Sequence, residues 1–317
     1  MNDRIKTRMS ALATNLQASA RRALLGCAGR AGRRIALLAA ASALAFGVAA
    51  PAQAAEGGAP LDHFPADKLT DLPSLQDGAR TFVNYCLNCH SASMMRYNRL
   101  KDIGLTDDQI VANLMFTATK VGDPMTIAMR PADAKTWFGA MPPDLSVIAR
   151  ARSSADGSGA DWLYTYLRSY YRDNGRATGW NNALFANVGM PHVLWELQGS
   201  RGATIEEIKA GEGGGHGSSW VKTIVTFDND GNRSEKTEKL EGYQHAGTHL
   251  TLTPAKGGTM SQANYDEKVA NLVAYVAYMS DPSAKTRARM GVWVLIFLSI
   301  LIFVTWWLNR EFWKDIK

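Results

Sequence analysis

Three residues in the first third of the chain could do redox chemistry together: Cys86, Cys89 and His90. Two thiols separated by two residues and followed directly by a histidine are typical of a covalent c-type haem attachment site. Each thiol adds across one haem vinyl group, and the two vinyl groups stand on neighbouring pyrrole rings, so the thiols must lie close together. The adjacent histidine then lies beneath the iron and supplies its proximal ligand. The motif therefore predicts one covalently bound haem c.

Two other interpretations of the same cysteines are less favourable. A zinc site needs a second Cys/His pair at similar spacing, and the remaining cysteine, Cys27, lies in a segment predicted below to be removed. A thioredoxin-like redox pair would accompany a βαβ pattern, which the surrounding sequence lacks. Covalent haem attachment is the prediction that fits the spacing.

Charge is distributed unevenly along the chain. The 317 residues carry a formal charge of +6, but residues 1–54 alone carry +7, which leaves −1 for the rest. The basic character belongs to this leader, and no nucleic-acid partner is implied. A basic stretch, an apolar alanine-rich run over 35–50 and the small-residue pattern Ala52-Gln53-Ala54 together predict a cleaved secretory signal peptide over 1–54.

A second apolar run, from Met290 to Leu308, contains 19 residues and no charge. About 20 apolar residues span a bilayer core as a helix, and tryptophans stand near both ends of this run, where indoles favour the membrane interface. The run predicts a single C-terminal membrane anchor within 284–317, with a short tail. If the leader exports residues 55–283, this haem domain lies in the periplasm and the tail in the cytoplasm.

The elements that must position the haem motif are predicted mainly as helices. Apolar residues recur at helical spacing before Cys86, so one helix, capped by Ser74, is predicted to end at the motif. Capping patterns at Thr106 and Ser261 begin two further helices, and we expect the second of these to cross the haem-bearing helix. The stretch 120–144 is predicted as ordered loop, because proline, glycine and methionine are frequent in it.

Further along, residues 161–171 are predicted as another helix. Trp220 to Phe227 alternate in strand fashion and are predicted to pair with 234–240 across an Asp-Asn-Asp-Gly turn, as a small β-hairpin insertion. The predicted fold class is therefore mostly α: a c-type cytochrome haem domain with a hairpin insertion and one C-terminal transmembrane helix.

The iron opposite His90 needs a second axial ligand or remains open. A methionine ligand raises the reduction potential, because its thioether stabilises ferrous iron. Met141 and Met190 both precede a proline in irregular stretches, and position alone does not choose between them. Four nearby tyrosines are interpreted as core or subunit-contact residues: Tyr164, Tyr166, Tyr170 and Tyr171.

Several motifs recur together in one known family. They are Tyr-Cys-Leu-Asn-Cys-His followed by Arg-Tyr-Asn-Arg-Leu, Pro-Pro-Asp-Leu at 142–145, Val-Gly-Met-Pro at 188–191, and an anchor preceded by Lys-Thr-Arg-Ala-Arg-Met-Gly. In these motifs the chain resembles cytochrome c1, the haem subunit of the cytochrome bc1 complex, most weakly over 200–255. The resemblance implies that Met190 is the second axial ligand and that Pro142 and Pro143 line the haem crevice.

The resemblance also implies a function. Haem c would take single electrons from the Rieske iron–sulfur protein and pass them to soluble cytochrome c, within a dimeric ubiquinol–cytochrome c reductase that also contains cytochrome b. The expected location is a bacterial inner membrane, crossed once, with the haem domain on the periplasmic side. A free-standing membrane cytochrome that feeds another oxidase or reductase is the alternative, and a haem gas sensor would need an open sixth position.

Overall fold

The computed structural model describes residues 60–210, 220–242 and 244–314. The predicted signal peptide, residues 1–54, lies outside them. The α-helices are α1 Leu72–Thr81, α2 Asp107–Asn113, α3 Pro131–Phe138, α4 Ile148–Ala151, α5 Gly159–Arg168, α6 Trp195–Gln198, α7 Gln262–Ser280 and α8 Ala284–Phe312. Short 3-10 helices occupy Ala66–Leu69 and Tyr97–Ile103, and a π-helical turn occupies Phe82–Cys86.

The strands are short except in one sheet. They are β1 Ala92–Arg96, β2 Pro124–Met125, β3 Tyr170–Arg172, β4 Trp180–Asn182, β5 Gly199–Ser200, β6 Ala203–Ala210, β7 Trp220–Phe227, β8 Arg233–Leu240, β9 Gly247–Leu252 and β10 Lys256–Gly257. β1 pairs with β2, β3 with β4 and β5 with β10, all antiparallel. Helices surround the main core.

The helix that carries the haem motif begins at a side-chain cap. Asp71 Oδ2 accepts a hydrogen bond from the Ser74 backbone N–H at 3.1 Å, and Pro73 stands in the first turn, where its missing N–H costs nothing. The prediction that Ser74 caps this helix is wrong, because α1 begins three residues before the expected position. The helix continues as the π-helical turn, which ends at Cys86.

α1 and α7 cross at close range, as the sequence predicts. A Cβ added to Gly78 would stand only 2.0 Å from the carbonyl oxygen of Asn271, so only glycine fits here. The rings of Phe82 and Tyr275 pack at a centroid distance of 5.5 Å. Asp77 accepts hydrogen bonds from Lys268 Nζ at 2.7 Å and Asn271 Nδ2 at 3.0 Å. Packing and a partly buried ion pair together fix the helix that carries the haem motif.

The other two predicted caps, at Thr106 and Ser261, are confirmed, but two other boundaries differ. Thr106 forms a reciprocal capping box with Gln109, and Ser261 accepts a hydrogen bond from Asn264 N. The stretch predicted as loop over 120–144 contains α3, which opens with Pro131 at its first position. α5 ends before Tyr170, because β3 leaves the helix to pair with β4.

The insertion before α7 is larger than a hairpin. β7 pairs with β8 in antiparallel fashion across the expected turn, and β6 and β9 extend the pair to a four-stranded sheet in the order β8-β7-β6-β9. Phe227 and Ala203 pack on Tyr171, which attaches the sheet to the haem domain. The chain enters and leaves the sheet at adjacent points, since Thr253 N donates to the Gly202 carbonyl at 3.1 Å.

α8 contains the predicted anchor. Within Thr286–Phe312, the most apolar 18-residue window has a mean hydropathy of 2.3, and this window is not buried against the rest of the chain. The helix is long and apolar enough to cross a membrane, and it is the one such helix in the part of the chain that the structure describes.

Candidate haem site

The two cysteines stand on one tight turn at the end of the haem-bearing helix. The backbone N–H groups of Cys89 and His90 both donate to the Cys86 carbonyl, at 3.1 Å and 2.9 Å. Burial, with Cys89 as neighbour, raises the pKa of the Cys86 thiol to about 12. Catalytic CxxC pairs and zinc ligands instead have lowered thiol pKa values. The turn therefore presents two neighbouring free thiols, as haem attachment requires.

His90 is held in one tautomer. Its ring is nearly buried, with 8% exposed, and Nδ1 lies 2.7 Å from the carbonyl oxygen of Pro143. A carbonyl can only accept, so Nδ1 carries the proton and donates. Burial lowers the pKa of His90, against the opposing effects of the Pro143 hydrogen bond and of Asp144. The imidazole is thus neutral at pH 7 and keeps the Nε2 lone pair for iron, in the arrangement usual for metal-bound histidines.

The segment behind His90 is fixed by the carboxylate that follows the prolines. Asp144 accepts from the backbone N–H of Ser93 at 2.9 Å and of Ser146 at 2.8 Å. The next residue, Leu145, donates its N–H to the Ser91 carbonyl at 2.8 Å. Pro142 and Pro143 have no backbone N–H to donate. The Pro143 carbonyl oxygen accepts the hydrogen bond from His90.

Met190 lies in an apolar, aromatic cluster formed by α5, β3 and β4. Tyr166, Tyr170, Trp180 and Val188 form its buried part. The Tyr166 hydroxyl donates to Met190 Sδ at 3.6 Å, and the Tyr170 hydroxyl lies 3.3 Å from the Met190 carbonyl oxygen. The sulfur of this methionine is therefore oriented by contacts from another element.

A single segment, 138–143, connects the surroundings of Met190 and His90. A Cβ on Gly189, the residue before Met190, would lie 4.0 Å from the Phe138 carbonyl oxygen, while Pro143 contacts His90 directly. Five residues span at most about 18 Å. The loops that carry the two predicted ligands are thus joined by this one short segment.

Met141 occupies a different position within that segment. It stands two residues before Pro143 in the chain, and Met141 is 52% exposed. Met190, in contrast, is partly buried against the aromatic cluster and contacts Tyr166. This geometry favours Met190 over Met141.

Three residues in or beside the aromatic cluster around Met190 were not among the residues predicted for the site. Tyr166 and Tyr170 contact Met190, although sequence reasoning interprets them as core or subunit contacts. Arg152 places its guanidinium 4.4 Å from the ring centroid of Trp162, which stacks on Tyr166. Tyrosines four residues apart, such as Tyr166 and Tyr170, are only a weak indication of a functional site, since the same spacing is typical of an ordinary core.

A zinc site has no support in residues 60–210, 220–242 and 244–314. No group of three or more His, Cys, Asp and Glu side chains in these ranges could hold a metal ion. The predicted haem residues instead supply two thiols, one neutral imidazole and one thioether. That set fits a covalently bound haem with two axial ligands.

A CxxCH turn on an N-terminal helix, a C-terminal helix crossing it and an apolar tail helix define a membrane-anchored c-type cytochrome. Residues 64–200 match the cytochrome C1 family, and a cytochrome c1 from Allochromatium vinosum is 39% identical over 83% of this chain and 92% of its own length. The chain belongs to the cytochrome c1 family. It therefore has a haem electron-transfer role in the bc1 oxidoreductase complex, carries covalently bound haem c, and is a bacterial membrane-anchored cytochrome.

Two other relatives have different names. A protein of Nitrosomonas europaea named ammonia monooxygenase gamma subunit is 43% identical over 81% of this chain and 88% of its own length. A cytochrome b/c1 of Bradyrhizobium diazoefficiens is 25% identical over 92% of this chain, which covers 41% of that longer protein. The second name places cytochromes b and c1 in one protein, in agreement with a bc1 complex.

Proposed function

We propose that the chain binds one haem c through thioether bonds to Cys86 and Cys89, with His90 and Met190 as its axial ligands. The hydrogen bond from His90 Nδ1 to the Pro143 carbonyl is the observation that carries the assignment, because it fixes the tautomer of the imidazole and leaves the Nε2 lone pair free for iron. When bound, haem supplies a one-electron couple whose potential a thioether ligand raises.

The residues of this chain then hold and shield that couple. Pro142 and Pro143 shape the wall behind His90, and the Asp144 carboxylate fixes this wall to the backbone of β1. Tyr166 and Tyr170 keep the Met190 loop in place. A site with both axial positions filled by protein resists small-molecule ligands, and electrons pass without any bond in a substrate being made or broken.

The proposed direction of transfer is from the Rieske iron–sulfur protein to soluble cytochrome c, beside cytochrome b in a dimeric complex. The haem domain, 55–283, would lie in the periplasm after removal of residues 1–54, with the segment 284–317 crossing a bacterial inner membrane once. The apolar α8 helix supports the anchor, and the family supports the complex.

Two methionine variants test the ligand assignment. We expect Met190→Leu to lose the far-red charge-transfer band of a methionine-ligated ferric haem, and its reduced form to bind carbon monoxide readily. Met141→Leu, the matched control, removes the other methionine that precedes a proline and should keep the band. The opposite pattern would transfer the axial role to Met141.

The complex is tested separately. The full chain, purified in mild detergent, should bring down b-type haem and a Rieske-type paramagnetic signal in stoichiometric amounts. A second candidate partner follows from the name of the Nitrosomonas europaea relative, a monooxygenase subunit. A lone c-type spectrum, under conditions where known respiratory complexes survive, would contradict the bc1 partners and favour a cytochrome that serves another membrane enzyme.

A further inference from the structure

Two buried tyrosine hydroxyls lie in series behind Met190. Tyr170 donates to the Tyr166 hydroxyl oxygen at 2.6 Å, and Tyr166 donates to Met190 Sδ at 3.6 Å. Tyr170 also approaches the Met190 carbonyl, at the longer distance of 3.3 Å. Each phenol has a single proton, so donation by Tyr170 across the shorter contact leaves the Tyr166 proton free for the sulfur.

The two rings are held rigidly by their neighbours. Trp162 stacks on Tyr166 at 4.8 Å with an interplanar angle of 14°, and His192 stacks on Tyr170 at 4.8 Å with an angle of 7°. Arg201 Nε donates to the Tyr170 carbonyl at 2.9 Å. Tyr166 is 8% exposed and Tyr170 is fully buried, so water competes little for either hydroxyl.

We propose that the Tyr166 hydroxyl is a hydrogen-bond donor to the axial thioether of Met190 that raises the reduction potential, and that Tyr170 is a positioning residue that acts through it. The inference rests on the proposed function, in which Met190 is an iron ligand. A thioether sulfur has two lone pairs, and donation to the one that does not bind metal withdraws electron density from the sulfur. This loss of electron density destabilises ferric iron more than ferrous iron, so the reduced state is favoured.

Tyr170 contributes by polarisation. A hydroxyl that accepts a hydrogen bond is a stronger donor, because chains of hydrogen bonds polarise one another at low local dielectric. The effect of Tyr170 on the reduction potential therefore depends on the Tyr166 hydroxyl. A purely structural role of Tyr170 in holding the Met190 carbonyl would not depend on that hydroxyl.

The test is a redox titration of the full-length, haem-loaded protein in detergent. We expect Tyr166→Phe to lower the ratio of reduced to oxidised protein at a fixed ambient potential about threefold, which is about 28 mV for a one-electron couple. Tyr170→Phe should shift the ratio in the same direction by less, and the double variant should match Tyr166→Phe alone. Tyr171→Phe is the matched control, since this neighbouring buried tyrosine packs on Phe227 instead, and its potential should stay unchanged.

The charge-transfer band of the methionine-ligated ferric haem separates the outcomes. An unchanged potential in Tyr166→Phe with the band intact would overturn the proposal, and loss of the band in that variant would assign Tyr166 a merely structural role. If Tyr166→Phe does not accumulate, an unchanged or raised potential in Tyr170→Phe overturns the proposal. A band that survives Met190→Leu would instead show that the ligand assignment itself has failed.

Discussion

Replacing Gly78 by alanine should separate the two helices that support the haem motif. The added Cβ would stand 2.0 Å from the Asn271 carbonyl oxygen and 2.8 Å from Tyr275 Cβ, whereas nonbonded carbon atoms prefer about 3.5–4.0 Å. Backbone and a Cβ cannot rotate away, so the cost lies at the upper end of overpacking, about 3 kcal/mol. The higher helix propensity of alanine returns about 1 kcal/mol. The net expectation is a loss of about 2 kcal/mol of unfolding free energy.

The assay is urea denaturation of the full-length protein in detergent, followed by circular dichroism and by haem absorbance. Gly122→Ala is the matched control, because a Cβ there meets no atom within 4 Å and the backbone φ is ordinary; its stability should stay within about 0.5 kcal/mol of the parent. A Gly78→Ala protein as stable as this control would refute the conclusion that the crossing depends on backbone contact at this position.

Two further predictions concern the ion pair at the crossing and the inserted sheet. Burial alone would raise the pKa of Asp77, but hydrogen bonds, first from Lys268, hold this pKa below its ordinary value of 3.8. The ionised Asp77 therefore stabilises the folded state above about pH 4, and this stabilisation is lost as the pH falls through the lower folded-state pKa. Asp77→Asn should therefore lose less stability than the parent between pH 7 and pH 3 in urea titrations, and an equal loss would contradict this origin. Excision of 203–252 should preserve the haem spectrum and potential, because Gly202 and Thr253 are already hydrogen-bonded neighbours; a chain that no longer incorporates haem would contradict this independence.

Local patterns in the sequence were sufficient for the parts of the fold that local energies decide. The haem motif, the capping box at Thr106 and the apolar run before the C-terminus each act within a few residues of chain, and the structure has the corresponding elements. The start of α1 was misplaced because Asp71 and Ser74 are both good capping residues, and Pro73 favours the earlier start by occupying the first turn.

Pairing between strands that are far apart in the sequence cannot be predicted from the separate segments. β7 and β8 are joined by a short turn and were predicted, whereas β6 and β9 pair across a long separation in sequence. Neither shows a clear alternation, because most residues of both strands are half-buried or exposed rather than packed in a core. Ala203, Phe227 and their apolar neighbours pack on Tyr171, and these residues stand at one end of the strands.

The axial ligand depends on contacts that no spacing rule contains. Met141 and Met190 have the same local sequence, a methionine before a proline, and differ in what lies around them. The carbonyl oxygen of Pro143, 53 residues from His90, accepts a hydrogen bond from the imidazole. Tyr166, 24 residues from Met190, directs its hydroxyl at the sulfur. Both contacts join separate elements, so the ligand set is a property of how the helices pack rather than of either Met-Pro motif.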